Sequence, residues 1–388
     1  MFSSDSIALS AYALASSGAW SVLLFAMLKS RARLNLRVDL PDSIEAFPPV
    51  TVIVPCRNES ANIRACCQSV LDQDYPNLEL TVVNDRSTDD TGSILDTIAR
   101  SDSRVRLIHI APGNLPEGWF GKNFAMHRAA QLSQADWLVF TDSDCLLSPA
   151  AVRIGVMIGV HRRFDMVSLI PRFVPRGFAD RLMTPLGGLV TGAMYAMMFA
   201  NNARLPSVAF ACGQYMAIRR SAYESVGGWA SVRQYPSDDV EIARRLKSTG
   251  CRPRIGWGMD LVRSHMYDSW STVWRGWGRN FIMASRGKPG RMILAIMFLV
   301  FCVFSIIPAA FCGVYAYDSR WIALAGLHAA TVTIAIFSTY RWAKSDGWLA
   351  FLWPVSAVLM LAIFARSLYL CLIGSMDWRG VRYSLRMK

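Results

Sequence analysis

No charged side chain occurs between Ser6 and Leu28, and that run, with its counterparts at the other end of the chain, restricts the possible folds more than any other feature. A helix over these residues is long enough to cross a hydrocarbon core of roughly 30 Å. The basic segment KSRARLNLR (Lys29 to Arg37) follows the apolar run instead of preceding it, and no small-residue cleavage site accompanies it. That is the pattern of an uncleaved anchor, not of a signal peptide. The leader carries only Asp5, so the charge bias places the N-terminus outside and the following residues in the cytoplasm. Three more apolar stretches close the chain: Met292 to Tyr317, Trp321 to Tyr340 and Trp348 to Ser375. The first two are separated by DSR, which fits a tight hairpin, while the third contains Pro354 and Arg366. Three crossings would leave the basic tail WRGVRYSLRMK outside, against the charge rule. A cytoplasmic tail instead requires one stretch to be re-entrant or interfacial, and the sequence fits both. The expected organisation is an anchor over 1–29, a cytoplasmic domain over 40–285, membrane helices over 292–375 and a basic tail over 376–388.

A mean hydropathy of +0.27 agrees with membrane residence, and a net charge of +13 suits a surface lying against anionic headgroups. Nucleic acid is not an expected partner. The basic residues are scattered, and no zinc-finger, RNP or helix-turn-helix pattern occurs. The nine cysteines show no paired spacing, which predicts reduced, mostly buried thiols.

Between the apolar ends, strands and helices alternate. VTVIVP (Val50 to Pro55), LELTVVND (Leu78 to Asp85), VRLIHI and DWLVFTD have the β-branched composition of buried strands. Helical stretches separate them: Ser60 to Asp72, STDDTGSILDTIAR with Ser87, Thr88 or Asp89 as cap, and GKNFAMHRAAQLSQ. This is an α/β pattern with a parallel sheet covered on both faces. Right-handed crossovers gather the strands' carboxyl ends, and with them Arg57, Asp85, Asp142 and Asp144, along one edge. Beyond Pro149 the regularity weakens. Arg181 to Ala200 is apolar but interrupted by Pro185 and Gly187–Gly188, and the polar pattern resumes at once, so an interfacial helix pair is expected over a crossing. SVAFACGQYMAIRRSAYESVGGW reads as strand, loop and short helix, and DDVEIARRLKSTG as a helix ending at Gly250.

Two acidic sites carry the chemistry. TDSD places Asp142 and Asp144 at a strand exit, where a turn lets both carboxylates converge on one hard cation, Mg2+ or Mn2+. The alternative is a cap or a solvated turn. At Asp238–Asp239 one aspartate suffices to cap the helix, which leaves the other as a candidate general base toward an acceptor hydroxyl.

VIVPCRNESANI, VVNDRSTDDT, FTDSD, CGQYMAIRRSAYESVGGW and SDDVEIARRLKSTG together resemble the glycosyltransferase family 2 signature. LPEGWFGKNFAMHRAA and HMYDSWSTVWRGWGRNF are most similar to its membrane-bound subgroup acting on carotenoid, hopanoid or related lipids, and the terminal WRGVRY adds to the likeness. The resemblance implies a GT-A fold, a nucleotide-diphosphate-sugar donor such as a UDP-sugar, a lipid acceptor and inversion at the anomeric carbon. It implies nucleotide contacts at Arg57, Asp85, Lys122 and Asp142, and a diphosphate contact at Arg279. Metal ligation falls to Asp142 and Asp144, acceptor contacts to Gly213, Gln214 and Asp238, and the catalytic base to Asp239. For Lys122 a solvated lysine at a helix start is the plain alternative. For Trp270, Trp274 and Trp277, it is ordinary helix packing rather than a place at headgroup depth. Asn84 stands where the family usually has aspartate, and the Gln-x-x-Arg-Trp pattern of processive synthases is absent in strict form. The expected activity is therefore transfer of one sugar; a processive polysaccharide synthase and an inactive membrane scaffold are the alternatives.

Overall fold

A computed structural model describes residues 4–36, 46–378 and 381–384. The expected basic tail lies partly outside these residues, at 379–380 and 385–388. The chain divides into two compact units, one of Met1–Ala32, Pro175–Tyr195 and Met266–Lys388, the other of Arg33–Val174 and Ala196–His265. In chain order, helix α1 (Ser4–Ala13), a π-helical turn (Leu14–Gly18) and α2 (Ala19–Arg33) lead into β1 (Val50–Cys56), α3 (Ile63–Leu71) and β2 (Leu78–Asp85). Then come α4 (Thr91–Ser101), β3 (Val105–Ile110), α5 (Gly121–Leu132), β4 (Trp137–Phe140) and β5 (Cys145–Leu147). These are followed by α6 (Ala151–Arg162), β6 (Met166–Ile170), β7 (Arg172–Phe173) and α7 (Phe178–Met194). The sheet-bearing unit continues with β8 (Met216–Arg219), α8 (Arg220–Ser225), α9 (Gly228–Ser231), α10 (Asp238–Ser248), β9 (Pro253–Trp257) and β10 (Val262–Ser264). Helices α11 (Trp270–Ala284), α12 (Pro289–Leu299), α13 (Ile306–Tyr315), α14 (Ser319–Trp342) and α15 (Trp353–Ile373) precede the short pair β11 (Ser375–Trp378) and β12 (Val381–Ser384).

The second unit is built on a seven-stranded sheet in the order β3-β2-β1-β4-β8-β6-β9. Every residue of β1 is buried, as a strand covered on both faces requires, and β1 pairs in parallel with β2 and β4. The sheet is mixed, not wholly parallel: β8 runs antiparallel to both β4 and β6. SVAFAC forms no strand. Its chain turns at Cys212–Tyr215, where the Tyr215 N–H donates to the Cys212 carbonyl at 3.1 Å, and the strand follows the turn. Because β8 runs in reverse, the residues before it, Gly213 and Gln214, come to the edge where β4 ends; the Thr141 hydroxyl donates to the Gln214 carbonyl there at 2.8 Å.

Among the described residues four helical spans are long and apolar enough to cross a membrane: Ile7–Arg33, Pro289–Tyr315, Ser319–Trp342 and Gly347–Ile373. The DSR hairpin forms as a helix start, with Asp318 capping α14 by accepting from the Arg320 N–H at 2.9 Å. Over Arg181 to Ala200, α7 runs on through Pro185 and Gly187–Gly188 to Met194 and a short 3-10 turn (Met197–Phe199) follows, so the break falls at Tyr195–Ala196 and not at the proline. Gly187 is a packing requirement and not a break: a Cβ there would stand 2.4 Å from the Trp277 ring. Trp277 is accordingly core, stacked on Phe281, whereas Trp270 is 48% exposed.

Candidate active site

The turn after β4 decides where the first acids point. The Thr141 N–H still pairs with Ile53, and then the Cys145 N–H closes on the Asp142 carbonyl at 3.2 Å, so Asp142 and Asp144 leave the sheet at the same turn. The crowding has an electrostatic signature. Burial, then Asp142, then Glu59 push the Asp144 carboxyl up to about 7. Like charges gathered in this way favour a cation between them.

Part of the counter-charge comes from the chain. Lys122, in the first turn of α5, places Nζ 2.6 Å from Asp142 Oδ1. Burial alone would lower this ammonium, but Asp142, Asp238 and Asp239 outweigh it and hold the lysine charged. The sequence alternative of a solvated lysine does not describe this position. Gly121, the first residue of α5, lets the helix start press close: a Cβ there would lie 2.5 Å from both Asp85 Oδ2 and Arg86 Nη2. Asp85 is engaged by Arg86, with Nε to Oδ1 at 2.7 Å and Nη2 to Oδ2 at 2.9 Å. Arg57 lies half-buried just after β1.

The second acidic pair opens α10, with Ser237 as N-cap residue. Asp239 Oδ1 accepts from the Val240 N–H at 2.8 Å, and Oδ2 accepts from the Gly213 N–H at 2.9 Å. Ser237 makes no side-chain cap bond and neither aspartate is the cap residue, so these two N–H donors orient Asp239 without making it the cap of α10. Burial raises the Asp239 carboxyl, against Lys122 and those two N–H donors. Asp238 is 4% exposed, and its Oδ2 has no hydrogen-bond partner among the described residues. Burial is the largest cause pushing it up to about 7, with Lys122 opposing and Asp239 and Asp142 adding. A Cβ at Gly213 would stand 3.3 Å from both Asp239 Oδ2 and Lys122 Nζ. Gly213, Lys122, Asp142 and Asp239 therefore meet at one point of the strand edge, with Gln214 beside them. Arg279 lies half-buried on α11, in the other unit.

Among the described residues no three His, Cys, Asp or Glu side chains form a complete metal cage. The donor set nonetheless suits a hard divalent ion that draws its other ligands from phosphate, since Asp142 and Asp144 offer carboxylate oxygens at one turn. Sequence reasoning missed two side chains here. Glu59 was visible within CRNES, one residue past the β1 turn. Arg86 gave no signal, because its left-handed backbone (φ 57°) has no periodicity to betray it. All nine cysteines are free thiols, as the spacing predicted.

A family model described as glycosyl transferase family 2 matches residues 51–227, from β1 through α8. This segment belongs to glycosyltransferase family 2. The chain is similar to a probable glycosyltransferase of Bacillus subtilis (strain 168), YdaM, at 24% identity over 278 residues. That alignment covers 69% of this chain and 64% of the relative, less than two thirds of its length. The 4,4'-diaponeurosporenoate glycosyltransferase of Staphylococcus aureus (strain USA300) is 20% identical over 342 residues, 87% of this chain and 88% of that protein. Among solved structures, a mannosyltransferase from Pyrobaculum calidifontis in complex with GDP-mannose and Mn2+ superposes with a TM-score of 0.61 at 19% identity. It covers 93% of this chain and 99% of that one, so the family 2 domain has the GT-A fold.

Proposed function

We propose that the protein is an inverting, metal-dependent glycosyltransferase that moves one sugar from a nucleotide-diphosphate-sugar to a membrane lipid at the cytoplasmic face. The observation that carries this reading is the convergence of Asp142, Lys122, Gly213 and Asp239 at the carboxyl edge of a family 2 domain. Asp142 and Asp144 would hold Mg2+ or Mn2+, and such an ion stabilises negative charge on a departing diphosphate. Lys122 adds a fixed positive charge at the same place. Asp85 and Arg57, at the ends of β2 and β1, are assigned to the nucleotide, and Arg279 to the diphosphate.

Asp239 is assigned as the base. Its two backbone N–H donors fix the carboxylate in one orientation while each oxygen keeps a lone pair for the acceptor proton. The acceptor oxygen bonds to the anomeric carbon, the bond from that carbon to the nucleoside diphosphate breaks on the opposite face, and Asp239 receives the hydroxyl proton. Gly213, Gln214 and Asp238 border that position and are assigned to the acceptor. The lipid acceptor is supported by the apolar helices at both ends and by the Staphylococcus aureus relative, whose alignment spans most of both chains.

The test is reconstitution of the full chain with bacterial lipid extract and nucleotide sugars, with products read by mass spectrometry. A lipid heavier by one hexose is expected. Asp239→Asn should abolish that product while donor affinity stays within about threefold, because the base touches the acceptor and not the donor. Long sugar chains would instead indicate a processive synthase, and collapse of donor affinity would remove the base assignment.

A further inference from the structure

Away from the acidic edge, six arginines come together where α6, β8 and β9 meet the chain leaving α2. Helix α6 ends in His161 and Arg162, and Arg163 follows in the left-handed conformation (φ 54°, ψ 42°). That C-terminal position ordinarily falls to glycine, so an arginine held there is a feature to be explained. Phe164 comes next, and the guanidinium carbons of Arg252 and Arg254 lie 5.3 and 5.5 Å from its ring centroid. Arg219, at the end of β8, lies 5.5 Å from the Trp137 ring. Arg254 Nη2 also donates to the carbonyl of Arg33 at 3.3 Å. Arg33, Arg162, Arg163 and Arg252 are exposed, whereas Arg219 and Arg254 are half-buried. Among the described residues Asp165 is the one carboxylate in ion-pair contact with any of the six, 3.8 Å from Arg219 Nε. Asp165 also accepts the Arg252 backbone N–H at 2.8 Å.

We infer that this cluster is a binding site for anionic lipid headgroups. The position of Arg33 fixes the choice of partner. Arg33 is the last residue of the span Ile7–Arg33, so in a bilayer it lies at headgroup depth, and Arg254 reaches its carbonyl. Guanidinium groups present forked donors that match the oxygens of a phosphate, and aromatic stacking holds two of them against Phe164. Basic residues beside a membrane helix are drawn to anionic headgroups and neglect zwitterionic ones. The inference rests on Ile7–Arg33 crossing the membrane, but not on the identity of donor, sugar or acceptor. Resistance to carbonate extraction tests that crossing separately.

The experiment uses the full chain in nanodiscs of phosphatidylcholine, alone or with one third phosphatidylglycerol, and reads backbone hydrogen exchange over 159–165 and 250–255. Phosphatidylglycerol should slow exchange in both segments by about fivefold, the equivalent of one basic side chain gained at an anionic surface. The effect should disappear in R162Q/R163Q/R252Q, whose three substitutions all lie at exposed positions. Equal exchange in the two discs overturns the site, as does protection that survives in the triple variant. Equal protection by soluble glycerol phosphate in phosphatidylcholine discs overturns it too, because the ligand would then be a free anion and not a membrane surface.

Discussion

Asp238→Asn should make this protein more stable, and only at neutral and alkaline pH. Asp238 is buried, its Oδ2 lacks a hydrogen-bond partner among the described residues, and it lies in the field of Asp239 and Asp142. Its carboxyl holds a proton to about pH 7 in the folded chain, against an ordinary value of 3.8. The native state therefore binds more protons than the unfolded state between those limits, and stability declines as pH rises from about 4 to about 7 and stays reduced above. Three pH units correspond to about 4 kcal/mol, which is a ceiling because Asp239 titrates with its neighbour and the two share the cost. Asparagine keeps the shape without the charge, so a gain of about 2–4 kcal/mol is expected at pH 8 and almost none at pH 4.5. For a unit of this size that is an apparent Tm about 5–12 °C higher at pH 8. Differential scanning fluorimetry of the detergent-solubilised full chain at both pH values measures it. An unchanged or lower Tm at pH 8 refutes the reasoning, and so does an equal gain at both pH values. Activity should fall in the same variant, since a charge kept at the expense of stability is a mark of a working site.

Two further outcomes follow from the same geometry. Lys122→Gln removes the ammonium 2.6 Å from Asp142 and should lower kcat/KM by about 100-fold; a loss under threefold would make the lysine incidental. Gly213→Ala puts a methyl 3.3 Å from Asp239 Oδ2 and Lys122 Nζ, and should cut kcat about tenfold with little change in Tm; a large loss of Tm at unchanged kcat would place Gly213 in the scaffold instead.

The parts of this fold legible in the sequence are those with a strong local period. β2 spans Leu78–Asp85 as its composition predicts: every residue but Glu79 is buried, and Thr81–Val83 form its β-branched centre. The start of α4 was only partly legible: Asp90, not Ser87, Thr88 or Asp89, is the N-cap residue, while Asp89 Oδ1 accepts the Thr91 N–H at 3.1 Å from one residue further out. What was not legible depends on contacts distant in sequence. The reversed direction of β8 is set by its pairing with β4 and β6, and no property of MAIR announces it. Pro185 reads as a helix breaker, yet α7 runs through it, since packing of that helix on Trp277 outweighs the lost backbone hydrogen bond. Of the three tryptophans considered for headgroup depth, Trp277 is core and Trp270 is exposed, a division that depends on which face of α11 meets α7. At the candidate site the acids were readable because carboxylates at strand exits and helix starts are chemically conspicuous. The bidentate hold of Arg86 on Asp85 was not, because it depends on one left-handed residue.

The central claim is that the carboxylates after β4 grip a divalent ion together with a sugar donor's diphosphate, and calorimetry of Mn2+ binding tests it most directly. With nucleoside diphosphate present, the full chain should bind one equivalent of Mn2+, and Asp144→Asn should weaken that binding by more than about 100-fold. Mn2+ affinity that is the same in the two proteins would contradict the account.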